Sequence, residues 1–285
     1  MSKSKGVFLF AKNNGQLDYV KQAVFLARRI KKYLNVPVSL ATDSPVYLEQ
    51  TYGTDDFDKV IKLDYTDEGN MRYFYDGAMS KKSAGFKNAN RASAYELSPY
   101  DETLLLDTDY IISNNLLASV FESDADFMIY KKSNDVSQAR NEEEFQKIDD
   151  TSVDFYWATV VFFRKTKTNK IFFDLVKHIE HEWHHYRRTY QVKSHLFRND
   201  FAFSIAIHIM NGFAQGSFAE ELPGTMFYTA DKDILWQIEN DEMMFLIEKE
   251  NYTGEYTSIR TKGLTVHVMN KFSLTRMIDE ELENG

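Results

Sequence analysis

The sequence predicts an α/β fold, with a mixed sheet flanked by helices in a single domain. Three observations carry this. Through the first hundred residues, short apolar runs alternate with stretches of helical period. That order is the mark of crossover units and a parallel sheet. The chain has 285 residues, 43% of them apolar and 27% charged, enough to bury a large core without covalent staples. It has only four prolines, and no Pro/Gly linker, repeat or low-complexity stretch divides it.

The elements follow in order. Val7 to Ala11 is a buried strand closed by the turn-forming Asn13-Asn14-Gly15. Leu17, Val20, Ala23, Val24, Ala27, Ile30, Tyr33 and Leu34 recur at threes and fours, an amphipathic helix over 16–34 with cations in its last turns. Strands follow at 37–42 and 59–63, and the polar, aromatic stretch 64–86 reads as a loop over one mouth of the sheet. A helix is expected over 88–97, stopped before Pro99. The most strand-like run is Glu102 to Asp107, with further strands at 126–130 and 155–163 around a charged surface loop at 131–152. The pattern is helical over 169–190 and again over 199–210, with Asn199 as a cap. Short strands fit 243–248, 256–260 and 264–268, and a last helix fits 273–283 with Ser273 as its cap.

Composition excludes several functions. Without cysteine there is no disulfide framework, thiolate zinc site, iron–sulfur cluster or Cys nucleophile. The net charge of −9 argues against a protein that coats polyanions. The first apolar run spans five residues, too short for a signal peptide, and nothing approaches a membrane span. A cytoplasmic protein is expected. No Walker or dinucleotide loop and no Gly-x-Ser-x-Gly elbow occurs.

The central signal is Leu104-Leu105-Leu106-Asp107-Thr108-Asp109-Tyr110. A buried strand ends and two carboxylates follow, where ligands of open α/β sheets sit. Two such charges repel unless a cation neutralises them. A hard divalent ion would do so and bridge to phosphate oxygens. A solvated acidic turn is the other reading. His181-Glu182-Trp183-His184-His185 matches His-Glu-x-x-His, which on a continuous helix could grip zinc with Glu182 as base. The polar flanks Glu180, Arg187 and Arg188 and the lack of a third ligand motif favour the solvated end of a long helix instead. Basic, aromatic segments at 81–91, 164–170 and 187–198 suit either a nucleic-acid contact or solvated helix ends.

The stretch from Lys87 and Arg91 through Glu96-Leu97-Ser98-Pro99 to Asp107-Thr108-Asp109 resembles GT-A-type glycosyltransferases, most closely family 8. A second match is Thr265-Val266-His267-Val268-Met269-Asn270-Lys271. The resemblance spans about residues 6–275. It implies a GT-A, Rossmann-like fold with a nucleotide-binding half over about 1–130 and an acceptor-side half over about 131–285. Asp107, Asp109 and His267 would be ligands of Mn2+ or Mg2+. Lys271 would meet the diphosphate, Thr108 the ribose, and Lys87, Arg91 and Asn270 the donor. Ala11, Lys12, Asn13 and Asp43 would lie at the base, and Asp200 would face the sugar and acceptor, unless it caps its helix. The chain departs from the family pattern at Trp157 and Thr159, where Asn and Gly are usual, and lacks the Pro-Trp that follows the late Lys.

The implied activity is transfer of a hexosyl or pentosyl group from a nucleotide sugar, a UDP-sugar above all, to a hydroxyl with retention. The acceptor would be a saccharide. Virus-encoded glycosyltransferases that decorate hydroxymethylated DNA bases keep a DNA acceptor open. The alternatives are a zinc metallohydrolase, a nucleotidyltransferase and a non-catalytic sugar-nucleotide-binding module.

Overall fold

A computed structural model describes residues 3–64, 70–87, 90–140, 145–148 and 153–284. Strand β1 (Lys5–Ala11) is central because Val7, Phe8, Leu9 and Ala11 are all fully buried. Helix α1 (Tyr19–Tyr33) starts where the Asp18 side chain accepts from Lys21 N at 3.0 Å, satisfying one of the orphan donors of a helix start. It lays Val20, Ala23, Val24, Ala27 and Ile30 on the sheet. Strand β2 (Val38–Thr42), helix α2 (Pro45–Thr51) and strand β3 (Lys59–Lys62) complete the first crossovers. A hairpin follows, β4 (Met71–Tyr75) with β5 (Lys81–Gly85). A 3-10 turn at Arg91–Ser93 leads into α3 (Ala94–Leu97), then β6 (Glu102–Leu106), β7 (Tyr110–Ile111), a 3-10 segment at Leu116–Glu122, β8 (Phe127–Tyr130) and β9 (Ser133–Asp135).

The second half holds β10 (Trp157–Arg164), α4 (Lys167–His181), α5 (Trp183–Thr189), α6 (Asn199–Met210), β11 (Glu220–Glu221), β12 (Met226–Tyr228), β13 (Ile234–Glu239), β14 (Glu242–Glu248), β15 (Tyr256–Lys262), β16 (Val266–His267) and α7 (Lys271–Asn284). Among the described residues, no helix is long and apolar enough to cross a membrane.

The main sheet has seven strands in the order β11-β8-β10-β6-β1-β2-β3. Every neighbouring pair is parallel except those made by β10, which runs antiparallel to both β6 and β8. β10 reads as an unbroken apolar run because it is covered on both faces. Phe163 packs on Phe173 of α4 at 4.7 Å, and Phe162 meets Phe121 of the 3-10 segment at 5.7 Å. A second sheet, β7-β16-β12-β9, aligns one row of residues: Tyr110, His267, Tyr228 and Asp135. The antiparallel sheet β13-β14-β15 packs against α7.

Several expectations need correcting. Residues 71–85 form a hairpin rather than a loop, although it does stand at the sheet's mouth. The expected helix at 88–97 is a 3-10 turn and one α turn, and Asn88 and Ala89 lie outside the described residues. The helix expected over 169–190 breaks at Glu182 into two. In the segment 131–152, Ser133 to Asp135 pair as a strand and Phe145 and Ile148 are buried, while 141–144 and 149–152 are outside the described residues. Helix α7 is capped by Asn270, whose Oδ1 accepts from Ser273 N at 3.0 Å. Ser273 therefore lies inside the helix. Neither Asn199 nor Asp200 occupies the cap position of α6: that is Arg198, whose side chain makes no capping bond.

Candidate active site

The strand order turns at β1, which has β2 on one side and β6 on the other. In such sheets a crevice opens beyond the carboxyl ends of the two strands. A cleft of about 320 Å³ lies there. Its walls come from the residues after β1, those after β6, the start of β10, the start of α6 and the end of β16.

Asp107 and Asp109 sit where β6 gives way to β7. Asp107 Oδ1 accepts from Arg91 Nη1 at 2.7 Å, and Arg91 Nη2 also donates to Thr159 O at 3.0 Å. The buried guanidinium thus ties the first carboxylate to β10. His267, 158 positions beyond Asp109, arrives through the second sheet. It pairs with Tyr110 across β16 and β7, and Val268 N donates to Asp109 O at 2.9 Å. His267 Nε2 then lies 3.2 Å from Asp109 Oδ2, and Lys271 Nζ donates to the same oxygen.

The charges respond to this crowding. Withdrawal from water opposes ionisation of Asp109, but Lys271 and His267 outweigh it and hold the carboxyl well below the usual range. Asp107 is pushed up by the same loss of water, which Arg91 only partly offsets.

A divalent cation fits these residues on three grounds. One ligand atom each from Asp107, Asp109 and His267 lie within 4.8 Å of one another, and among the described residues this is the one such group of three or more. His267 Nδ1 is buried without a hydrogen-bond partner. Each carboxylate keeps one oxygen, Asp107 Oδ2 and Asp109 Oδ1, that accepts from no described residue. Two hard oxygens and an imidazole suit a divalent cation.

The other predicted residues divide. Lys12, Lys87, Arg91, Thr108, Asp200 and Lys271 line the cleft. Ala11, Asn13, Asp43 and Asn270 do not. Asp43 accepts from Lys87 Nζ at 2.9 Å and from Asn13 N at 3.3 Å, while Asn13 O accepts from Lys87 at 2.6 Å. That network fixes the turn after β1. Asn270 donates to Asp233 O at 2.8 Å besides capping α7. Both Asp200 oxygens are engaged: Oδ1 accepts from Ala158 N at 2.9 Å, and Oδ2 accepts from Arg198 at 2.9 Å.

The proposed zinc pair is not assembled. The helix breaks between His181 and His185, and the His181 side chain is 83% exposed with Nδ1 against Glu182. The basic segments are largely engaged within the fold: Arg164 binds Glu102 and two carbonyls, Lys165 binds Ser98 O, and Arg187 binds Ser194 O. Sequence reasoning missed Tyr19, Arg72, Phe86, Phe145, Asp231 and Met269, all of which line the cleft. Tyr19 is the one with a local signal, since it opens the helix after β1.

No protein-family model matches the sequence, and no curated protein matches it. Three solved structures are similar to it in shape. The glycosyltransferase GlyE in Streptococcus pneumoniae TIGR4 is 12% identical, with 78% of this chain and 45% of that chain covered and a TM-score of 0.43. This chain thus spans less than half the length of GlyE. The galactosyltransferase LgtC, in complex with donor and acceptor sugar analogs, is 14% identical over 70% of each chain, with a TM-score of 0.43. An active-site mutant of LgtC is 15% identical over 70% of this chain and 69% of that one, with a TM-score of 0.44.

Proposed function

We propose that this protein is a divalent-metal-dependent glycosyltransferase of GT-A type, moving a sugar from a nucleoside diphosphate sugar to an acceptor hydroxyl. The observation that carries this is the Asp107, Asp109 and His267 group at the turning point of the sheet, with Lys271 and Arg91 on its carboxylates. A cation there would supply Lewis-acid stabilisation of the diphosphate as charge builds on the leaving oxygen.

The chain's own groups divide the remaining work. Arg91 fixes Asp107 against β10. Lys271, at the first turn of α7, can pass from Asp109 to a phosphate oxygen. Phe10, Tyr19 and Phe86 offer apolar rings in the same cleft, suited to the flat base of a nucleotide. Asp200, held on both oxygens, orients the sugar rather than attacking it. Retention of configuration we take from the family 8 resemblance and its late His267, not from Asp200. The acceptor we assign is a saccharide hydroxyl, because a net charge of −9 disfavours a polyanionic partner such as DNA.

The test is a thermal-shift panel of nucleotide sugars with and without Mn2+, followed by assay of nucleotide release. A donor at a hundred times its dissociation constant stabilises the fold by about 2.7 kcal/mol. A UDP-sugar should do so only with the metal. No shift with any nucleotide sugar would overturn the reading.

A further inference from the structure

Across the cleft, the hairpin and the segment after β12 are joined by one ion pair. Arg72 Nη2 donates to both oxygens of Asp231, at 3.2 and 3.1 Å, over a separation of 159 positions. Both residues line the cleft and both are partly open to water. Arg72 is Asp231's one partner among the described residues, and Asp231 is not in the cation-binding group. A carboxylate outside the cation-binding group, in a cleft that should receive a diphosphate, opposes that ligand by charge once Arg72 leaves it.

We infer that Asp231 stands in for a phosphate on Arg72 in the free protein, and that Arg72 exchanges this carboxylate for a phosphate oxygen when the nucleoside diphosphate binds. The inference rests on the glycosyltransferase reading above. Carboxylate and phosphate present matching acceptor geometry to a guanidinium, so the exchange needs no new orientation of the fork.

The surroundings favour a side-chain exchange over movement of the hairpin. The Arg72 guanidinium lies 5.7 Å from the Phe74 ring and 5.3 Å from the Phe86 ring. The hairpin is fixed elsewhere: Arg276 donates to both oxygens of Asp76 at 2.8 Å, Ala78 N to Tyr256 Oη at 2.7 Å, and Asn14 Nδ2 to Gly85 O at 2.8 Å. On the other bank, Asp233 is gripped by Arg140, with Nη1 at 3.0 Å from Oδ1. Arg72 lines the same cleft as Asp107 and Asp109.

Calorimetry with Mn2+·UDP and with uridine tests this on the wild type, Asp231→Asn and Arg72→Met, each checked for folding by circular dichroism. Asp231→Asn should bind Mn2+·UDP about two- to fivefold more tightly, the scale of releasing a half-exposed ion pair. Arg72→Met should weaken it about tenfold. Neither should change uridine binding. Weaker or unchanged UDP binding by Asp231→Asn would make Asp231 a mere orienting group and overturn the exchange, as would an unchanged Arg72→Met. If the wild type binds no Mn2+·UDP, the glycosyltransferase reading falls and the exchange with it. If the wild type binds and only the variants disagree, the exchange alone falls.

Discussion

His267→Ala separates the metal from the fold. The imidazole is buried, 3.2 Å from Asp109 Oδ2, with its ring 5.9 Å from that of Trp157 in an edge-to-face contact. Removing it forfeits a hydrogen bond to a charged group, worth about 1.5–3 kcal/mol, and an aromatic contact of about 1 kcal/mol. Asp109 is not stranded, because Lys271 still donates to it. The expected loss of stability in the metal-free protein is therefore about 2.5–4 kcal/mol, or roughly 5–16 °C in Tm for a chain of this size. The effect on the cation is of another order. Changes around a metal's ligands already cost about 10- to 100-fold in affinity, and loss of one of three protein ligands should exceed the upper figure. Titration calorimetry with Mn2+, with melts recorded alongside, reads both quantities. Equal Mn2+ affinity in the wild type and a folded His267→Ala variant would refute the three-ligand site.

Two further outcomes follow from groups outside the cleft. Glu281 is pushed up by burial, only partly opposed by Arg29 and Lys32, so its charged form disfavours the fold. Glu281→Gln should therefore raise Tm at pH 7, and the gain should shrink as pH falls through the folded carboxyl's titration and vanish below about pH 4, where both states are protonated. A gain that grows in acid would contradict the sign. A methyl group at Gly6 would lie 2.5 Å from Tyr100 Cζ and 2.8 Å from Pro37 O. Gly6→Ala in β1 should thus cost about 1–3 kcal/mol by overpacking, measurable as a lower denaturation midpoint.

What the sequence could reveal depended on how far a residue's environment was local. β1, β2, β6 and β10 were legible because burial on both faces leaves a mostly apolar run. β7, β9, β11 and β12 have only two or three residues each, too few to display a period, whereas β16 falls inside the strand read over 264–268. The hairpin strands β4 and β5 bury one residue apiece, Phe74 and Ala84, so no alternation marks them. The break at Glu182 has no Pro or Gly to announce it. Asp135 and Arg140 read as solvated charges, yet Arg140 bridges buried Asp135 and Asp233, the latter 93 positions away. The site shows the same division. Asp107 and Asp109 stood out by their place after a buried strand. Arg72 and Asp231 are unremarkable in their own segments and meet only across the folded cleft.

Delivery of His267 shows how the fold prepares the site before any ion arrives. Three main-chain contacts hold the strand ends together: Val268 N to Asp109 O at 2.9 Å, Thr229 N to His267 O at 3.0 Å, and Val136 N to Tyr228 O at 2.9 Å. Together they run from the Asp pair through β16 and β12 to β9, using backbone groups alone. Lys271 meanwhile neutralises Asp109 from within the protein. Mutual repulsion of the two carboxylates is thus already countered, by Arg91 on one and Lys271 on the other. A site whose ligands converge only around an ion folds with it, as small metal domains do. Here the geometry is paid for by sheet hydrogen bonds and by cations of the chain. Under the proposed function, the binding energy of an ion here would be available for the ligand, and a diphosphate would draw Lys271 away from Asp109 without loosening the strands that carry both.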